Sequence, residues 1–196
     1  MESAAPGTEG HQGPHTGPHV GSHVGSHVGS HVDEVDRIVT DWRRERPDLD
    51  LEPLEVFSRV TRLARHLDLA RRTAFTMHAL DGWEFDVLAA LRRAGEPYEM
   101  SPGALVTATL VTSGTMTNRI DRLEGRGLVE RHRSPDDRRG VVVRLTGAGR
   151  ARVDAAFTDL LAHEARMLQD LDASSRPELA TLLRALSAQF DDPPAS

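Results

Sequence analysis

Apolar positions recur at helical spacing through most of the chain from Asp33 onward. Val35, Ile38, Val39 and Trp42 follow an i, i+3, i+4, i+7 pattern and predict a short amphipathic helix over 33–46, ended by Pro47. Val56, Val60, Leu63 and Leu67 form the stripe of a longer helix over about 53–77. Pro53 lies in its first turn, where the missing N–H has no intrahelical partner to lose. Trp83, Val87, Leu88 and Leu91 mark a third helix over 81–94, stopped at Gly95. Two more close the chain. One spans 146–170 with Val153, Phe157, Leu160, Leu161 and Leu168 on its stripe; the other spans 174–190 with Leu179, Leu182, Leu183, Leu186 and Phe190.

Between these helices, 101–146 has a different rhythm. Ser101-Pro102-Gly103 opens a short helix, Thr109-Leu110-Val111 makes a turn, and a second helix runs from Thr112 to Glu124. Gly125-Arg126-Gly127 stops it. Leu128-Val129-Glu130-Arg131 begins a strand, an arginine-bearing hairpin occupies 134–140, and Val141-Val142-Val143-Arg144-Leu145 returns. The expected fold is mainly α with a small β-hairpin wing: a winged helix-turn-helix with a helical dimerisation region. The expected organisation is a His/Gly-rich disordered tail over 1–32 and amino-terminal helices over 33–80, an added helix and a dimerisation helix. A DNA-binding winged helix-turn-helix over 81–146 and carboxy-terminal dimerisation helices over 147–192 follow.

The helix after Thr112 has two unlike faces. Met116, Ile120 and Leu123 share one, while Gly114, Thr115, Asn118, Asp121 and Arg122 project from the other. A helix inserted in a DNA groove needs small residues for close approach, N–H groups for phosphate, and amide or guanidinium groups for base edges. Asn118 and Arg122 are therefore the expected base readers, with Ser113, Thr115 and Thr117 positioning the helix on phosphate. In the hairpin, Asp137 can brace the fork of Arg139 for a narrow minor groove, leaving Arg138 for phosphate. The apolar stripes outside this head exceed what the head can cover. Sharing them across a two-fold axis predicts a homodimer.

Composition changes the picture in two places. The formal net charge is −6, which opposes a nucleic-acid partner until the charge is resolved by segment. Within 101–150 nine arginines stand against five acidic residues, so a basic face sits on an acidic body. Cysteine is absent, which removes disulfides, thiol nucleophiles and thiolate metal sites. No apolar run approaches membrane-spanning length and no basic-then-apolar start is present, so no membrane partner and a cytoplasmic address are expected. No phosphate-cradling loop, nucleophile elbow or metal-spaced cluster of the ordered part points to an enzyme, and no cofactor is expected. The first 32 residues repeat Gly-Pro-His and Gly-Ser-His-Val, with histidines at 15, 19, 23, 27 and 31. Their Gly and Pro density suits a disordered tail; metal capture by those imidazoles is the alternative.

Trp83-Glu84-Phe85-Asp86-Val87-Leu88, Thr117-Asn118-Arg119-Ile120-Asp121-Arg122-Leu123-Glu124, Gly127-Leu128-Val129-Glu130-Arg131 and Asp137-Arg138-Arg139 together resemble the MarR family of winged-helix regulators. The resemblance covers about 33–190. It implies a homodimer on a palindromic double-stranded DNA operator, usually repressing a neighbouring gene until a small molecule binds. Within the family the chain is similar to the urate-responsive, PecS-like branch, which carries an added amino-terminal helix with a tryptophan. That branch's ligand residues fall on Trp42, Asp86, Arg119 and Arg131, implying a small anionic effector, urate or similar. Relatives with similar residues respond to tricarboxylates such as citrate or aconitate, and that alternative stays open. The helix repeat independently sets Arg119 on the flank of the core stripe, where an arginine needs a partner; Asp86 is the expected one.

Overall fold

The computed structural model describes residues 32–133 and 140–191. They contain seven helices: α1 (Glu34–Glu45), α2 (Glu52–Met77), α3 (Gly82–Arg93), α4 (Pro102–Thr109), α5 (Ser113–Gly125), α6 (Gly147–Met167) and α7 (Ser175–Asp191). Three strands complete them: β1 (Glu99–Met100), β2 (Val129–Arg133) and β3 (Val141–Leu145). The expected class, mainly helical with a small hairpin, is the one observed, and each expected helix forms within three residues of its expected ends.

The chain divides into two compact units, one ending at Leu49 and the other beginning at Asp50. The described part of the first is α1 and its flanks. Asp33 caps this helix by accepting the Asp36 N–H at 2.9 Å, and the Asp36 carboxylate returns the bond to the Asp33 N–H at 2.8 Å. Val35 and Val39 are buried, whereas the Trp42 ring is about half exposed.

In the second unit α3 is the axis of the core. Val87, Leu88 and Leu91 have no exposed surface and meet Phe75 of α2, Leu105 of α4, Met116, Ile120 and Leu123 of α5, and Val153 and Leu160 of α6. The stripe expected for α5 is thus the face that packs. β2 and β3 pair antiparallel from Val129 opposite Leu145 to Arg133 opposite Val141. A third strand was not expected. β1 lies on the other edge of β3, with Glu99 opposite Arg144 and Met100 opposite Val143, giving the order β1-β3-β2. Two residues are too few to show an alternation, and what holds them is a cross-strand ion pair: Arg144 donates to Glu99 Oε2 from Nε and Nη2 at 3.0 and 2.7 Å.

The long helices keep large apolar residues in the open. Val56, Phe57, Val60 and Leu63 of α2, Phe157 and Leu161 of α6, and Leu182, Leu183 and Phe190 of α7 are all exposed. Among the described residues no helix is long and apolar enough to cross a membrane.

Candidate nucleic-acid interface

The helix-turn-helix begins at Ser101, whose hydroxyl accepts the Ala104 N–H at 3.1 Å and starts α4. α4 ends at Leu110 in a left-handed conformation, φ 53°, and this reversal sends the chain into α5. Thr112 caps α5: its Oγ1 accepts the Thr115 N–H at 3.4 Å and lies 2.9 Å from the Thr115 hydroxyl. The first turn carries Ser113, Gly114 and Thr115, all exposed, so its free N–H groups are open to an anion. Thr117 donates its hydroxyl back to the Ser113 carbonyl at 3.1 Å, which leaves the oxygen's lone pairs outward as acceptors. Thr117 can therefore meet phosphate only through water or after turning.

Asn118 and Arg122 are exposed on the same outer face. With Trp83, Gly114, Thr115 and Arg119 they line a cleft of about 480 Å³. Arg138 and Arg139, the expected wing residues, lie outside the described residues, as do Asp136 and Asp137.

The residues implied as ligand contacts stand on four different elements. Trp42 stands on α1 in the first unit, in a shallow groove with Ile38, Asp41 and Glu45. Asp86 is exposed on α3 and opens onto a cleft of about 400 Å³ formed with Asp68, Arg71, Arg72 and Phe75 of α2. Arg119 is half-buried on the flank of α5, where the helix repeat put it. Its partner differs from expectation. The guanidinium lies over the Trp83 indole, 5.4 Å from the ring centroid, and pairs with no carboxylate among the described residues, Asp86 included. Trp83 precedes Asp86 by about one helical turn, and Asp86 faces the cleft with α2. Arg131 is engaged elsewhere: Nη1 donates to Glu124, Nη2 to Asp121, and its own N–H to Glu124 Oε1 at 3.1 Å. The Asp121 carboxylate, then that of Glu124, raises the Arg131 pKa against the opposing effect of burial. Arg131 thus pins β2 to the end of α5.

Three residues were not foreseen in the roles they take here: Glu84, Arg126 and Trp83. Glu84, with 2% of its surface exposed, is the one buried charged side chain among the described residues. It accepts the Asp81 N–H at 2.9 Å and receives Arg126 Nη1 on both oxygens at 2.5 Å, while Arg126 Nη2 donates to the Ala79 carbonyl at 2.6 Å. The spacing Asp81-x-x-Glu84 is a capping-box signal and could have found the acid. Nothing local announces Arg126. Trp83 was assigned only to the core stripe, yet it also lies 4.8 Å below Arg122.

A small polar-faced helix capped at its amino end, preceded by a helix-turn and followed by a three-stranded wing base, has matches among known proteins. A sequence model of the MarR family fits residues 79–140. The HTH-type transcriptional regulator PecS of Dickeya dadantii is 38% identical over 76% of this chain and 90% of its own. The chain belongs to the MarR family. It is a DNA-binding winged helix-turn-helix transcriptional regulator by that membership. The HTH-type transcriptional repressor NicR of Pseudomonas putida is 32% identical over 70% of this chain and 88% of its own. Among solved structures, Bordetella bronchiseptica BpsR, described for regulation of its DNA binding by 6-hydroxynicotinic acid, is 30% identical with a TM-score of 0.52. It covers 68% of this chain and 94% of its own.

Proposed function

We propose that this MarR-family regulator is a homodimeric repressor that grips a palindromic operator and releases it when a small planar anion binds. The carrying observation is the outer face of α5: Gly114 and Thr115 at its start, then Asn118 and Arg122, exposed and facing one cleft. Asn118 and Arg122 read base edges; Ser113 and Thr115 set the helix on phosphate, with Thr117 joining them through water or after turning; Arg138 and Arg139 of the wing follow the backbone and minor groove. The relative NicR is a repressor, which supports the sign of regulation.

The effector residues proposed are Trp42, Asp86, Arg119 and Arg131. Asp86 and Arg119 carry charge with no ion-pair partner among the described residues, the condition of a group awaiting a ligand. Arg131 would answer through Asp121 and Glu124, which it already holds. Urate remains the leading ligand, and the regulation of BpsR by 6-hydroxynicotinic acid supports the wider class of planar heteroaromatic anions. Because Arg119 belongs to α5, a ligand that draws its guanidinium turns the element that sits in the groove. A coupling of about 1–3 kcal/mol would loosen the operator roughly five- to a hundredfold.

The test is a duplex selected by the protein from a random-sequence pool, titrated with urate, 6-hydroxynicotinate, citrate and zinc. Urate or 6-hydroxynicotinate should release the duplex from the wild type, and Asp86→Ala should keep DNA affinity while losing that response. Release by citrate alone would replace the planar anion with a tricarboxylate. Release by zinc that vanishes when 1–32 are deleted would move sensing to the histidine tail. An undiminished urate response in both Asp86→Ala and Arg119→Ala would remove these residues from the effector site.

A further inference from the structure

The arginines of the head are held in two different ways. Arg126 is held by Glu84, Arg131 by Asp121 and Glu124, and Arg144 by Glu99. Each of these gives its charge to a carboxylate. Arg119 and Arg122 have no carboxylate within ion-pair distance among the described residues, and both lie over the Trp83 indole, at 5.4 and 4.8 Å from its centroid. Tyr98 makes a comparable platform for Arg92 and Arg150, but there Asp154 stands 2.8 and 4.0 Å from the two guanidiniums, so an acid shares the site and offsets part of their charge. Trp83 is the platform that carries two arginines and no acid.

The physical difference is large for a surface that must meet DNA. A carboxylate that orients an arginine also cancels its charge and occupies its N–H fork. An aromatic face orients the guanidinium through its quadrupole, leaves the full positive charge, and leaves the in-plane N–H groups free. Contact with the ring also restricts the rotamers of a long side chain, whose freedom would otherwise be lost on binding. Arg119 and Arg122 are one turn apart on α5, so their mutual repulsion needs a compensating partner. The indole supplies one without spending either charge.

We propose that Trp83 is a positioning residue for DNA reading: it holds Arg122 poised for a base edge and Arg119 poised beside it, both fully charged. The proposal rests on the reading of α5 as the DNA-reading helix. Trp83 sits on α3 and packs against the core, so the aim of the reading arginines is set by the rigid scaffold, not by α5 alone. Specificity at the base contacted by Arg122 then depends on a residue that need not touch DNA.

The experiment compares a duplex selected by the wild type from a random pool with an unselected duplex. Trp83→Leu should bind the selected duplex about three- to tenfold more weakly, with Trp83→Phe between it and the wild type. Affinity for the unselected duplex should change less than twofold, because charge is retained. In an Arg122→Ala background, Trp83→Leu should narrow the preference no further. A folded Trp83→Leu protein with wild-type discrimination, or with equal losses on both duplexes, overturns the proposal. Emission gives a second measurement that needs neither DNA nor a Trp83 variant. In Trp42→Phe protein the lone indole is Trp83, and adding Arg122→Ala should shift its emission; an unchanged spectrum overturns the stack. If the wild type selects no sequence at all, the DNA reading falls, while the emission measurement still decides the platform.

Discussion

Leu110 sits at φ 53° with 92% of its surface exposed. A leucine in left-handed backbone carries about 1–2 kcal/mol of strain, and here its side chain returns almost no burial. Leu110→Gly relieves that strain but loosens the unfolded chain by about 0.5–1 kcal/mol, so a net gain of about 0.5–1 kcal/mol is expected in urea denaturation. A loss of stability would show that the side chain packs on something. At Glu84 the sign is reversed. Arg126→Leu leaves a carboxylate buried without its cation and should cost about 3 kcal/mol in the same assay. Glu84→Gln keeps the shape and an acceptor for the Asp81 N–H, and the double variant should cost less than the sum of the two changes. Additive losses would mean the pair does not act as a unit. Arg119 shows how far residue-level reading goes: its helical phase was legible, its partner was not. Phase depends on position along one helix, whereas the choice of Trp83 over Asp86 depends on how α3 is rotated against α5.

The elements of the head are joined at their ends by short polar devices, and these determine how closely they approach. Thr146 is the clearest. Its hydroxyl donates to the Gly127 carbonyl at 2.8 Å and accepts the Gly149 N–H at 3.0 Å, so one residue closes the wing and opens α6. Gly149 then passes so near β2 that a Cβ would stand 2.1 Å from the Leu128 carbonyl oxygen. Since that oxygen accepts the Thr146 N–H at 3.1 Å, it cannot yield freely. Gly149→Ala should therefore lift the first turn of α6 off the sheet and cost about 2–3 kcal/mol. Gly147→Ala, two residues earlier with nothing within 4 Å of a new Cβ, should be neutral or stabilising. Equal melting temperatures for the two variants would contradict the close approach. The starts of α5 and α6 lie next to Thr112 and Thr146, which cap them in the ordinary way, and both starts were readable. β1 was not, because its two residues depend on β3 for their conformation.

On the scale of the whole molecule, the unsatisfied feature is apolar surface on the long helices. Phe57 and Val60 of α2, with Leu182 and Phe190 of α7, remain open in a single copy, as the excess of stripes anticipated. A second copy is the proposed cover. Sedimentation should give twice the 21.5 kDa chain mass, and Leu182→Glu with Leu183→Glu should shift it toward one copy and weaken operator binding at fixed concentration. A wild type that sediments as one chain at micromolar concentration would refute the dimer. The core explains how such a dimer could speak to DNA. Phe75 of α2 and Val153, Ala156 and Leu160 of α6 are buried in the same cluster as Met116, Ile120 and Leu123 of α5, so α2, α6 and the head form one packed body within the second unit.

The sequence alone determined the order of the helices and of the hairpin strands, the inward stripe of α5 and the family. These depend on local periodicity and on contiguous motifs, which a chain displays without folding. Tertiary structure decided which charges stay free. Arg126, Arg131 and Arg144 are bound to acids 42, 7 and 45 positions away, and Arg119 and Arg122 rest on an indole from another helix. Guanidiniums are alike in a sequence; only the packing of helix against helix places a carboxylate beside one and a ring beneath another.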